Sequence, residues 1–157
     1  MPVKSIKIIK RGTLTWEAFE EPEPHVMAMK RFSGAGDGST VTYIETDKKI
    51  LVDTGFENEA NLSEENVEKN HKALVHALKE HDLKPKDIDM VFLTHLHRDH
   101  FGNVGVFKHC EIVTSEPALE LFPEARGVKD GETLADGVKV MYTPGHTAEH
   151  ASLVLDT

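Results

Sequence analysis

Four metal-capable side chains lie within six positions of this chain, in Thr94-His95-Leu96-His97-Arg98-Asp99-His100, directly after the apolar run Ile88 to Leu93. The run is β-rich and of strand length, so it reads as a buried strand whose carboxyl end presents His95, His97, Asp99 and His100 together. Phe101-Gly102-Asn103 with Val104, Val106 and Phe107 then reads as a short helix or turn. The four side chains therefore occupy a strand-to-helix loop, the place where α/β proteins commonly put chemistry. Imidazole is a borderline donor suited to zinc and its first-row neighbours. His95 and His97 are two residues apart, so an extended segment points both to one side for one ion, while Asp99 and His100 on the turn reach towards a second. The plain alternative is a polar turn whose histidines serve as caps and hydrogen-bond donors.

The rest of the chain can be placed around this loop. Val3 to Ile9 alternates apolar and basic residues and reads as an edge strand guarded by lysines. Trp16 to His25 is acidic and interrupted by prolines, a loop, and the Gly-rich stretch Ser33 to Ser39 lacks the Lys of a phosphate loop and reads as a turn. Thr40 to Glu45 and Lys49 to Val52 read as a hairpin. It leads into Asp53, a poorly hydrated carboxylate that needs partners such as a ligand histidine or a loop amide. Ser63 to His81 is the clearest helix, with Glu64 and Glu65 in its first turn and an apolar stripe of Val67, Leu74, Val75 and Leu78. His71, His76 and His81 step by five and spread around it, so they do not form a metal site. Glu111 to Thr114 reads as a strand, Ser115 to Leu121 as a short capped helix, and Val138 to Tyr142 as a strand delivering Gly145-His146. His150 and Ser152 follow on the outgoing strand, and for His150 a role behind the ligands or against substrate stands level with that of a buried structural histidine.

Three stretches together, Ile50-Leu51-Val52-Asp53-Thr54-Gly55, the His-x-His-x-Asp-His sequence at 95–100 and Thr143-Pro144-Gly145-His146-Thr147, resemble the metallo-β-lactamase-fold hydrolases in order and spacing. The resemblance implies an α/β (α+β) fold, an αββα sandwich truncated in its second half, as a single domain over residues 1–157 that is incomplete at the C-terminus. It implies that His95, His97 and His146 hold one metal ion, that Asp99 and His100 contribute to a second, and that Asp53 supports the metal loops from behind. The bridging Asp and late His that the family's second half supplies have no counterpart here, and Asp156 is too close to His146 for the bridging role. The implied activity is hydrolysis of an ester, thioester, lactone or lactam by a zinc-activated water, with Asp99 as the catalytic residue orienting the water and accepting its proton. One or two zinc ions are expected, with iron or manganese as alternatives. Two other readings remain, a non-haem iron oxygenase of the same fold and a non-catalytic metal-binding or assembly chain.

Composition narrows the partners. The net charge of −9, without a block of Lys or Arg, disfavours nucleic acid and leaves a small-molecule substrate. The single cysteine, Cys110, suits a reducing compartment, and there is neither a signal-peptide pattern nor an apolar run of membrane-spanning length, so a cytoplasmic protein is expected. Ala151 to Leu155 is an apolar terminal strand with an open pairing edge, from which a homo-oligomer, or a partner covering that strand, is expected.

Overall fold

Val91 and Leu93 face one side of their strand, Met90 and Phe92 the other, and none of the four has measurable exposure, so the strand before the metal-capable loop is covered on both faces. The computed structural model describes residues 2–12, 39–57 and 61–157. Its strands are β1 (Ser5–Lys10), β2 (Val41–Glu45), β3 (Lys49–Val52), β4 (Met90–Phe92), β5 (Glu111–Ser115), β6 (Arg126–Val128), β7 (Thr133–Ala135), β8 (Val138–Tyr142) and β9 (Ala151–Leu155). β1 to β6 form one sheet in sequence order, antiparallel from β1 to β3 and parallel from β3 to β6. β7, β8 and β9 form a second, antiparallel sheet.

The two faces of β4 organise two cores. On one side Val91 and Leu93 pack with Tyr43, Leu51, Phe107 and the helix α1 (Glu64–Lys79) through Leu74 and Leu78. On the other, Met90 and Phe92 pack with Ile44, Ile50 and Val113 against Val138, Val140 and Ala151 of the second sheet. Helix, sheet and sheet are three layers of an αββα sandwich. Among the described residues no second helical layer covers the outer face of the small sheet, where Met141 and Val154 are about half exposed.

The hairpin, the edge position of β1 and the helix agree with the sequence, and Ser63 caps α1 by accepting from the Asn66 N–H. Four details differ. The buried stripe of α1 is Asn66, Asn70, Leu74, Ala77 and Leu78, with Val75 left 40% exposed. The asparagines displace the valine because their amides hold the backbone leaving β3: Glu57 N–H donates to Asn70 Oδ1 at 2.8 Å and Asn70 Nδ2 returns a bond to Glu57 O at 3.1 Å. After β5 the chain makes a 3-10 turn, Glu116–Glu120, and Ser115 does not cap it, because its hydroxyl donates to Glu149 O at 2.7 Å. β6 and β7, three residues each, were not apparent in the sequence pattern. The terminal apolar strand is paired along its length with β8. Cys110 sits in the bend before β5, half-buried, with its thiol pushed up to about 11 chiefly by burial. Trp16 to His25 and residues 33–38 of the Gly-rich stretch lie outside the described residues.

Candidate metal centre

β3 and β4 are adjacent and parallel, so the loops that leave their carboxyl ends emerge side by side, and a hydrogen bond from Asp53 N–H to Phe92 O at 2.8 Å continues the pairing into them. Asp53 there adopts a positive φ of 61°. This left-handed backbone is uncommon outside glycine but accessible to Asp. It turns the carboxylate into the next loop. Oδ1 accepts the Thr94 N–H at 2.9 Å, and Oδ2 accepts the Thr94 hydroxyl and His100 Nδ1–H, both at 2.8 Å. Asp53 is only 4% exposed, so these donors supply the partners a buried carboxylate requires.

The loop itself is clamped from below. Thr54 N–H and Oγ1–H both donate to His100 O at 2.7 Å, and Phe56 N–H donates to Asp99 O at 2.8 Å. Asn103, fully buried, donates through its amide to the carbonyls of Thr54 and Gly55. Gly102 is required because a Cβ there would collide with the Phe56 ring. These contacts hold the one-turn helix α2 (Arg98–Phe101), which carries Asp99 and His100.

Thr94 decides the state of His95. Its one hydroxyl proton goes to Asp53, so its oxygen at 3.1 Å from His95 Nδ1 acts as acceptor, and Nδ1 is the protonated nitrogen. That leaves a lone pair on His95 Nε2, which is buried and has no hydrogen-bond partner among the described residues. Burial above all, and then the neighbouring imidazoles of His100, His97, His150 and His146, push the His95 pKa down to about 2, so the ring stays neutral. A buried unpartnered polar atom is rare in a folded protein, and one on a neutral imidazole is what a metal ligand presents.

The other two histidines converge on it. His97 leaves the same loop two residues on, and His146 arrives from the loop after β8 in the other sheet; one nitrogen of each of His95, His97 and His146 lies within 4.8 Å of the others. His97 Nδ1 and His146 Nε2 are 3.1 Å apart, and both side chains are exposed where His95 is buried, so the trio opens outwards. Three imidazoles with one open side, the innermost oriented through Thr94 by a carboxylate, fit a cation such as zinc. Asp99 and His100 are not in this trio. They form a pair of their own, with Asp99 Oδ2 3.4 Å from His100 Nε2, and the His100 ring lies 3.9 Å from that of His95. His100 Nδ1 donates to Asp53, so Nε2 is the ring nitrogen turned towards Asp99. The described residues gather no second group of three such ligands.

The model of the metallo-beta-lactamase superfamily matches residues 34–127. The chain belongs to that superfamily. The "Probable metallo-hydrolase" of Methanocaldococcus jannaschii is 32% identical over 108 residues, covering 67% of this chain and 45% of that protein. An N-acyl homoserine lactonase of Bacillus cereus is 28% identical over 141 residues, covering 73% of this chain and 56% of its own length. The solved structure of a quorum-quenching N-acyl homoserine lactone lactonase superposes with a TM-score of 0.68 at 22% identity, over 99% of this chain and 69% of that one, and supports the fold. The chain spans about half the length of these two curated relatives. Among the described residues no helix is long and apolar enough to cross a membrane.

The matched residues 34–127 include His95 and His97 of the trio, while His146 lies beyond them. Two contributors were not singled out in the sequence as parts of the site. Thr94 was overlooked because it is not a ligand type, although its place between strand and first histidine was a signal. Thr143 lies beside His146 in sequence, and only the register of β8 and β9 brings it to His150.

Proposed function

We propose that this chain carries the metal centre of a metal-dependent hydrolase acting on an ester, thioester, lactone or lactam, with His95, His97 and His146 as the ligands of the first ion. The observation that carries the proposal is the lone pair of His95 Nε2, buried without a partner and facing two further imidazoles of the trio. Zinc held there would act as a Lewis acid, activating water near neutral pH and polarising a carbonyl. The residues have separable tasks. His95 stays neutral and so remains a ligand across the physiological range. Asp99, 7% exposed and beside the trio through His100, is the carboxylate that orients the attacking water and takes its proton. Asp53 orders Thr94 and His100 from behind, and Asp99 and His100 form the protein's contribution to a second cation. The lactonases among the relatives make an acyl lactone the first substrate to test.

A second reading is a metal-binding chain without hydrolytic activity, favoured by the finding that the described residues gather one group of three metal-capable side chains and no second. Metal content by elemental analysis, followed by lactone, thioester and β-lactam hydrolysis in wild type and His95→Ala, tests both. Wild type is expected to bind zinc and hydrolyse one class, and His95→Ala to lose both. A His95→Ala protein with metal and turnover intact would sink the assignment, and a metal-replete but inert wild type would leave the second reading.

A further inference from the structure

We propose that His150 is a positioning residue of the metal centre: it fixes the ring of His95 from the side of the second sheet and thereby tightens metal binding without itself being a ligand. The inference rests on the reading of His95, His97 and His146 as metal ligands. The His150 ring lies 4.9 Å from that of His95, tilted by 32°, while the ring of His146 is 4.8 Å from His95. His150 is as close to the buried ligand as another ligand is, yet it does not join the group whose nitrogens lie within 4.8 Å of one another. Its contact is with the ring, and not with a shared ion position.

What distinguishes His150 from a histidine that merely packs is how it is held. The backbone around it is tied by three different elements. Ser115 at the end of β5 donates its hydroxyl to Glu149 O at 2.7 Å, Thr143 at the end of β8 donates its N–H to His150 O at 3.0 Å, and Ala151 N–H donates to Thr94 O at 2.8 Å. The side chain is tied as well: His150 Nδ1 is 2.8 Å from Thr143 Oγ1, which is 2.8 Å from Ser152 Oγ. The backbone that carries the ring is thus tied to both sheets and to the metal loop, and the ring itself is anchored by Thr143. His95, by contrast, has a single hydrogen bond from its ring, to Thr94 at 3.1 Å. Rotation of its ring about the Cβ–Cγ bond is therefore restrained by packing, and His150 and His100 are the closest packed rings besides the other two ligands. Groups that orient a metal ligand from behind typically cost 10–100-fold in metal affinity when removed.

The test uses zinc itself, with affinity measured by chelator competition and the cobalt-substituted protein followed by its visible d–d spectrum. His150→Ala is expected to bind zinc roughly 10–100-fold more weakly, with an altered cobalt spectrum. Thr143→Val, which keeps the shape and removes the hydroxyl anchoring the ring, is expected to weaken zinc in the same direction and by less. It serves as the decisive variant if His150→Ala does not fold. Wild-type affinity and spectrum in both variants, or in Thr143→Val alone if His150→Ala is unfolded, would overturn the inference while leaving the metal site standing. Absence of zinc binding in wild type would overturn the metal site, and this inference with it.

Discussion

Asp53 combines a demanding backbone with three hydrogen bonds, and the two can be separated by substitution. Asp53→Ala removes the acceptor for Thr94 and His100 and places an alanine at φ 61°, where it is strained. Unpaired buried donors cost about 1–3 kcal/mol each, with partial relief from water, so a loss of roughly 3 kcal/mol in urea unfolding is expected. Asp53→Asn tolerates the left-handed backbone and still accepts at one oxygen, so it is expected to lose about half as much. Equal losses would show that neither the backbone strain nor the one retained oxygen matters, and that the whole effect lies in the full carboxylate. The second expectation at this scale concerns pH. His95 has its folded pKa near 2, below the unfolded value of about 6.5, so between these limits the unfolded chain holds a proton that the folded one does not. The stability of metal-free protein is therefore complete above about pH 6.5 and lost as pH falls towards 2, with a slope from this group of up to about 1.4 kcal/mol per pH unit. The His150 pKa is lowered too, chiefly by burial, and adds in the same direction. Chemical unfolding of the metal-free protein at pH 7 and pH 5 checks the sign, and His95→Gln should flatten the difference.

Helix α1 separates what pattern can tell from what packing decides. Its existence, cap and amphipathic face were legible, because Ser63, the acidic first turn and Leu74 with Leu78 follow local rules. The assignment of Val75 to the core was not, because a helix face is about 100° wide and only the tertiary partner selects its edge. Here Asn66 and Asn70 are selected to hold the loop carrying Glu57. Leu74→Ala is accordingly expected to cost about 2–5 kcal/mol, and Val75→Ala to stay within about 0.5 kcal/mol, by urea denaturation. A comparable loss at both positions would contradict the observed face. β6 and β7 escaped the pattern for a related reason: Arg126-Gly127-Val128 and Thr133-Leu134-Ala135 are too short to display a period, and their pairing comes from neighbours already in place. The candidate ligands were the most legible feature, since ligand chemistry is carried by residue type. The placement of His150 was the least, since it depends on the register that sets Tyr142 opposite Ala151.

At the scale of the molecule, the trio joins elements with no local reason to stay together. His95 and His97 lie on the loop that follows β4 of the six-stranded sheet and His146 on the loop that follows β8 of the small one, so an ion bound by all three ties the ends of the two sheets together. The sheets already share an apolar core, and the ion adds to it by linkage: a ligand that binds only the folded state stabilises by about 2.7 kcal/mol when free at one hundred times its dissociation constant. For a chain of 157 residues, about 1 kcal/mol corresponds to roughly 2–4 °C, so saturating zinc is expected to raise the melting temperature by about 5–10 °C and chelation to reverse it. The discriminating variant is His146→Ala. It is exposed, so its removal leaves the metal-free protein about as stable as before, yet it takes away the only member of the trio that the small sheet contributes. If the ion bridges the sheets, His146→Ala melts with wild type in chelator and loses most of the zinc-dependent shift. If it retains the full shift, zinc is held within the 95–100 loop alone, and the small sheet has no share in the centre.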